Sequence, residues 1–218
     1  MPKARRMSQG FTLVELLVVL GIIAILTALT IPSIIGIVRS SSLTTGSNAL
    51  TNQLTFARQY AMAKNCQVEF RLYQLPDPTT PSSTTPAVFR AFQSLAVPTD
   101  GSADTAITKV TFLPVQIYMV NNITVSSLLQ APASQSSPTY VAGATAAVPL
   151  GTYAPSSYNY YAFHFKPDGS TDLNPSGNTW FVSLANQHDT LQAATGVPTN
   201  FVTIQVNALT GRVQSFRP

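Results

Sequence analysis

The sequence predicts an α+β fold: a long N-terminal helix packed on an antiparallel sheet formed by the rest of the chain. Two observations predict it. From Gly10 to Asn65 the apolar residues run first almost without interruption and then at helical spacing. From Gln67 the period changes to two, and short alternating segments separated by Pro-, Ser- and Thr-rich stretches follow to the end of the chain. Helix first and strands after is an α+β order.

The first half of the helix is the most distinctive stretch. Gly10 to Val38 contains one charge, Glu15, and the 23 residues from Leu16 to Val38 contain none. About 20 apolar residues suffice to cross a hydrocarbon core of about 30 Å. Lys3, Arg5 and Arg6 precede the run with no acidic residue before Glu15, which predicts a cytoplasmic N-terminus and an exported C-terminal part. A cleaved signal peptide or a plain signal anchor is the simpler reading. The run is too long for a signal peptide, and Ala24 and Ala28 form no A-x-A site. Glu15 adds a further demand. A carboxylate inside an apolar segment costs about 2.5–3.5 kcal/mol on insertion scales, so such residues usually have a partner and a function.

Beyond Arg39 and the serines at 40–42, Leu43, Leu50, Leu54, Ala57, Ala61 and Ala63 recur near the helical period, so the helix is expected to continue to about Asn65 and to span roughly 80 Å in all. Its second half, 39–66, is amphipathic and suited to lie on a sheet. Gly21, Pro32 and Gly36 are its weak points.

Residues 67–218 are expected to form the sheet domain. In Gln67–Gln74, Val68, Phe70 and Leu72 face one way and Glu69, Arg71 and Tyr73 the other, as in a half-buried strand. Pro76, Pro78, Pro81 and Pro86 make 75–86 a loop. Val88–Leu95 reads as a second strand antiparallel to the first, and 97–106 as a polar loop. Lys109–Leu113 and Val115–Met119 read as short strands broken at Pro114, and Asn122–Leu129 as one more. Residues 131–159 read as an insertion without regular structure. Then come a strand at Tyr160–Lys166, a turn at Pro167–Gly169, a strand at Thr179–Ala185 and a loop at Gln187–Thr199. A terminal hairpin closes the chain, with Phe201–Val206 and Arg212–Phe216 joined by a turn at Asn207–Gly211.

The formal charge of +4 suggests nucleic acid, but three of the twelve basic residues lie in 1–10; beyond them nine basic face eight acidic residues. Only 9% of residues are charged, so the polar surface comes from Ser, Thr, Asn and Gln. Such a surface suits an export compartment or packing into a filament, not an electrostatically steered enzyme. With one cysteine, Cys66, no intramolecular disulfide can form. Cys66 reads as a small apolar residue near a helix end, with intermolecular pairing as the alternative.

Gly10, Phe11, Thr12, Leu13, Val14, Glu15 and Leu16 after a short basic leader closely resemble the N-terminus of type IV prepilins and pseudopilins. The resemblance implies cleavage between Gly10 and Phe11 by a prepilin peptidase, releasing leader 1–10, and N-methylation of Phe11. It also implies that Glu15 neutralises the free amine of a neighbouring subunit during assembly, and that Pro32 sits where pilin helices commonly carry a proline. The expected partners are the peptidase, other pilin or pseudopilin subunits and the inner membrane. The expected location is a single-pass anchor over 11–38 in the cytoplasmic membrane, with the C-terminal domain in the periplasm. Leu54–Asn65, Phe165–Gly169 and Leu209–Val213 are similar to motifs of H-type minor pseudopilins of type II secretion and of FimT-like minor pilins. Residues 66–95 with Ser170 and Thr171 resemble prepilin-like proteins encoded in multi-gene cassettes of Verrucomicrobia. The insertions at 75–86 and 131–159 depart from the pseudopilin pattern.

Catalytic sets are not evident, so no enzyme and no cofactor are expected. His164 alternates with Phe163 and Phe165 and reads as a strand residue; His188 and Asp189 lack a placed nucleophile. No zinc-type cluster, P-loop or dinucleotide fingerprint occurs. Oxygens of Asp168, Ser170 and Asp172 could converge on a hard cation, but a calcium loop carries more carboxylates and a closing Glu. The turn reading is preferred and no metal is expected. The resemblance to FimT-like minor pilins implies one alternative function, DNA binding during uptake. Its candidates are Arg212 and Arg217, flanking the last strand, with Lys166 nearby; so few phosphate contacts give weak binding at physiological salt.

Overall fold

The computed structural model describes residues 11–76, 87–122, 124–129, 137–144, 157–176, 179–192 and 197–217, without the side chains of 29–35 and 190–192. The chain divides into two compact units, Met1–Ser41 and Ser42–Pro218.

Helix α1 runs from Leu13 to Lys64 without interruption, Pro32 included. Its start is a capping box. Thr12 Oγ1 accepts from the backbone N–H of Glu15 at 3.2 Å, and Glu15 Oε2 accepts from the Thr12 backbone N–H at 2.9 Å. Its end is a Schellman-type stop. Asn65 takes a left-handed φ of 51°, and the Cys66 N–H donates back to the Ala61 carbonyl at 3.2 Å. Lys64 adds a cation to the last turn.

In the second unit, Leu43, Leu50, Leu54, Ala57 and Ala61 are fully buried. They join Val68, Phe70, Phe163, Trp180, Val182 and Ile204 of the sheet in one core. The small residue Gly46 admits Pro114, whose Cδ lies 3.2 Å from where a Cβ would stand.

The sheet strands are β1 (Gln67–Leu75), β2 (Val88–Val97), β3 (Thr105–Ala106), β4 (Thr111–Phe112), β5 (Ile117–Met119), β6 (Thr139–Ala144), β7 (Tyr158–Phe165), β8 (Trp180–Asn186), β9 (Phe201–Val206) and β10 (Val213–Phe216). Their order is β10-β9-β8-β5-β2-β1-β7-β6, with β3 and β4 also paired to β2. The expected antiparallel pairing of the first two strands is present, from Gln67↔Val97 to Leu75↔Val88. The terminal hairpin is also present, with Val213 opposite Val206.

Four expectations are corrected. Strand β1 is not half-buried: Tyr73 is buried, and with Leu75, Ala91 and Tyr158 it forms a second apolar cluster. Residues 122–129 hold no strand among those described; a turn leads into a 3₁₀ helix, Ser127–Leu129. There the serine hydroxyls bind neighbouring backbone instead of leaving it to a ladder. Ser127 Oγ accepts from the Phe181 N–H at 2.9 Å, and Ser126 Oγ accepts from the Ser183 N–H at 3.0 Å. The stretch 131–159 is not wholly irregular. Thr139, Tyr140 and Val141 pair with Ala162, Tyr161 and Tyr160, with the Tyr140 and Tyr161 rings 4.9 Å apart. Finally, 187–199 opens with a short helix, α2 (Gln187–Gln192). It is capped by Asn186, whose Oδ1 accepts from the His188 N–H at 2.9 Å. The 75–86 loop falls largely outside the described residues, as do Gly10 and the leader.

Candidate functional site

The N-terminal unit presents its apolar side chains outward. Phe11, Leu13, Val14, Leu16, Leu17, Val18, Val19, Leu20, Ile22, Ile23, Ile25 and Leu26 are all exposed, from 44% at Val19 to 81% at Phe11. A helix apolar all round is one that is buried in a larger assembly or a bilayer. Among the described residues no helix is long and apolar enough to cross a membrane. Glu15 sits in this unit as the last residue of the capping box, and its Oε2 also accepts from Thr12 Oγ1 at 2.9 Å. The Thr12-x-x-Glu15 spacing was there to be read as a helix start, alongside the cost of a charge among apolar residues.

In the second unit, three stretches picked out in the sequence meet. Arg58, from α1, donates from Nε to the carbonyls of Gly169 at 3.1 Å and Thr210 at 2.8 Å. Both carbonyls belong to turns. In the first, Gly169 has φ 81° and its N–H donates to the Lys166 carbonyl at 2.9 Å. In the second, Gly211 has φ 60° and its N–H donates to the Asn207 carbonyl at 2.8 Å. The turns are also tied directly, since Thr171 donates to the Ala208 carbonyl from its N–H at 3.0 Å and its Oγ1 at 2.9 Å. Both segments read as turns in the sequence; only the fold brings one arginine onto the two of them.

The two acidic candidates for a cation are engaged separately. Asp168 Oδ1 accepts from Ser170 N–H at 2.8 Å and Ser170 Oγ at 2.7 Å, which closes the turn. Asp172 accepts from the His164 N–H and Ser137 Oγ, both at 2.8 Å, and its Oδ2 pairs with His164 Nδ1 at 2.8 Å. No group of three or more His, Cys, Asp or Glu among the described residues could hold a metal ion. The DNA candidates are likewise not brought onto one set of partners. Arg217 reaches Thr44 Oγ1 and Asn200 Oδ1 at 3.4 Å, while Arg212 lines a groove with Arg58. Cys66 is partly buried against the main core. His188 and Asp189 lie 3.8 Å apart, too long for a hydrogen bond.

An ionic network on the other face of β1, with Glu69 and Arg71 largely covered and Asp104, His164 and Asp172 at its more exposed edge, has no signal in the sequence. Glu69, Arg71 and Asp104 join His164 and Asp172 there. Arg71 Nε meets Glu69 Oε1 at 2.6 Å, its Nη2 meets Asp104 Oδ2 at 2.7 Å, and His164 Nε2 stands 3.7 Å from Glu69 Oε2. The Asp172 hydrogen bond raises the His164 pKa against the opposing effect of burial; the charges of Asp172, Glu69 and Asp104 add to the rise. For Asp172, burial pushes upward, but the His164 and Ser137 hydrogen bonds and the His164 charge outweigh it and the carboxyl is lowered.

A raised His pKa contributes stability that is complete below the unfolded value of 6.5 and is lost as pH rises through the folded one. A lowered Asp pKa contributes stability present above 3.8 and lost as pH falls. The pair should therefore stabilise most between those two values. In thermal melts, the deficit of His164→Gln relative to the native protein should be largest near pH 5 and should shrink by pH 9. A deficit independent of pH would contradict this pairing.

Residues 5–31 match the family description "Prokaryotic N-terminal methylation motif". The match covers the N-terminal motif and the first part of α1. No curated protein matches it. Among solved structures it is similar to the minor pseudopilin EpsH from the type 2 secretion system of Vibrio cholerae. The identity is 10% and the TM-score 0.40, over 81% of this chain and 98% of that one. At that identity and score the likeness assigns no function.

Proposed function

We propose, from a chain whose residues 5–31 carry a prokaryotic N-terminal methylation motif, that this protein is a structural subunit of a type II secretion or type IV pilus-like assembly, in the manner of a minor pseudopilin. A prepilin peptidase removes residues 1–10 and methylates Phe11. The helix from Phe11 to Val38 anchors the subunit in the cytoplasmic membrane, then packs against the helices of neighbouring subunits. The unit from Ser42 onward lies in the periplasm.

The observation that carries this reading is the Gly10–Glu15 motif at the head of a helix whose apolar side chains from Phe11 to Ile25 are exposed. The 23 uncharged residues from Leu16 to Val38 support the membrane stage. Burial of that surface, first in lipid and then in a bundle, is the driving force. The test is the N-terminal mass of the protein expressed with and without a prepilin peptidase. The expected result is a peptidase-dependent start at Phe11 bearing one added methyl group. An intact Met1 in both samples would reduce the stretch to a signal anchor.

Glu15 acquires two separable roles. Its carboxylate completes the capping box, and its charge is the partner offered to the Phe11 amine of a neighbouring subunit. Glu15→Gln keeps the cap, because glutamine serves at this position, and removes the charge. Both Glu15→Gln and Glu15→Ala should reduce incorporation into assemblies by about tenfold or more, since an unpaired buried amine is left behind in each case. If Glu15→Gln assembled normally while Glu15→Ala did not, Glu15 would act as a helix cap only.

A further inference from the structure

We propose that the groove between Arg58 and Arg212, beside β9 and β10, binds a compact oxyanion, a carboxylate or a phosphate borne on a larger group. The groove encloses about 510 Å³ and is lined by Arg58, Gln205, Asn207, Thr210, Arg212 and Gln214. Two guanidinium groups and three carboxamides line it, and no acidic side chain does. The Arg212 guanidinium meets no hydrogen-bond or ion-pair partner among the described residues; the contact there involves its backbone N–H, which donates to Thr210 Oγ1 at 3.3 Å.

The donors are held in place before any ligand arrives. Arg58 Nε is fixed by the carbonyls of Gly169 and Thr210, which orients the guanidinium plane and leaves its Nη donors for a ligand. Asn207 Oδ1 accepts from the N–H groups of Leu209 at 3.1 Å and Thr210 at 2.9 Å, so its remaining hydrogen-bonding capacity is the donating amide. Gln205 and Gln214 stand opposite each other across β9 and β10. Planar paired donors of this kind match the oxygens of carboxylate and phosphate. A neighbouring groove of about 450 Å³ differs in kind: it contains Lys166 but also Asp172, whose carboxylate is already met by His164. The Arg58–Arg212 groove is larger than a bare ion needs, which leaves room for the group that bears the anion.

The site is independent of the N-terminal motif and of the assembly reading. Its test is calorimetric titration of the full chain, in non-ionic detergent and phosphate-free buffer, with inorganic phosphate and separately with N-acetylglutamate. Saturable binding on the order of 1 mM is expected, with each anion displacing the other. The tighter of the two identifies the source, a phosphorylated group or an acidic side chain of a protein partner. Arg212→Gln, at an exposed position, should weaken binding about tenfold. Gln214→Glu, which places a carboxylate inside the groove, should abolish it, and Arg217→Gln should leave it unchanged. Near-ultraviolet circular dichroism confirms that each variant is folded. Absence of saturable binding by either anion would overturn the proposal. So would an equal loss in Arg212→Gln and Arg217→Gln, because binding would then reflect diffuse charge.

Discussion

Replacing Gly211 by alanine is expected to destabilise the second unit by about 3–5 kcal/mol, more than any other single methyl group added at a described glycine. A Cβ on Gly211 would lie 2.2 Å from the carbonyl oxygen of Gly169 and 3.1 Å from Arg58 Cδ. The first neighbour is backbone and cannot rotate away. The residue also holds φ 60°, where a side chain costs about 1–2 kcal/mol by itself. Moving the turn to relieve the clash would pull Gly169 and Thr210 away from Arg58 Nε, at about 0.5–1.5 kcal/mol for each weakened hydrogen bond.

Two other glycines grade the effect. Gly169 has φ 81°, but its added Cβ would meet Met62 Sδ at 2.6 Å, the far end of a flexible side chain. Gly101 has φ 77° with nothing within 4 Å, so only the backbone term remains. Denaturant unfolding should therefore rank Gly211→Ala as most harmful, then Gly169→Ala, then Gly101→Ala. A Gly211→Ala protein within 1 kcal/mol of Gly101→Ala would show that the two turns are not locked together.

How much of the fold is legible in the sequence depends on how far each signal reaches along the chain. The helix was legible because Leu43, Leu50, Leu54, Ala57, Ala61 and Ala63 recur near one local period; the first five are buried, while Ala63 is exposed. Alternation at a period of two marks the strand at 67–74, and the strands expected at 179–185 and 201–206 also fall within a residue of β8 and β9. Strand β6 was hidden because Thr139–Val141 is too short to alternate convincingly; its partner, β7, supplies the pairing from outside the segment. Helix α2 was overlooked although its cap, Asn186, stands in the sequence, because six residues carry little periodicity.

The sites divide in the same way. Gly10, Phe11 and Glu15 form a contiguous signal, so the N-terminal motif could be read without a fold. Arg58 could not be connected with Gly169 or Thr210, which lie 111 and 152 residues away. Glu69 and Arg71 looked like the solvated face of a half-buried strand. Their burial follows from the register that sets Glu69 against His164 in β7 and from the covering apolar cluster around Tyr73.

That network yields the other large effect: Arg71→Met should cost about 3–5 kcal/mol at neutral pH, the usual result of removing one partner from a buried ionic group. The Arg71 side chain is 13% exposed, forks onto Glu69 through Nε at 2.6 Å and Nη2 at 3.2 Å, and also holds Asp104. Its guanidinium lies 4.9 Å from the centre of the Tyr160 ring, so the stem and the charge are both packed. Burial lowers the arginine pKa, but Glu69 more than compensates and the group stays charged. Without it, Glu69 and Asp104 face each other, with His164 the nearest remaining cation in the network. Asp104 is already held above its ordinary 3.8 by burial and by the Glu69 carboxylate, with Arg71 opposing the rise. Losing Arg71 removes that opposition, so the folded variant holds a proton on Asp104 that the unfolded chain releases near pH 3.8. Stability is then lost as pH rises through the shifted value and recovered on acidification. The Arg71→Met deficit should accordingly be smallest near pH 4 and full at pH 7. Arg71→Lys, which keeps the charge but not the fork, should lose about half as much. Neutralising the acids as well, with Glu69→Gln and Asp104→Asn in the Arg71→Met background, should restore most of the loss, because no uncompensated charge remains. A deficit that stayed constant from pH 4 to 7, or a triple variant no better than Arg71→Met alone, would assign the loss to the packing of the arginine stem on Tyr160 instead of to the charges.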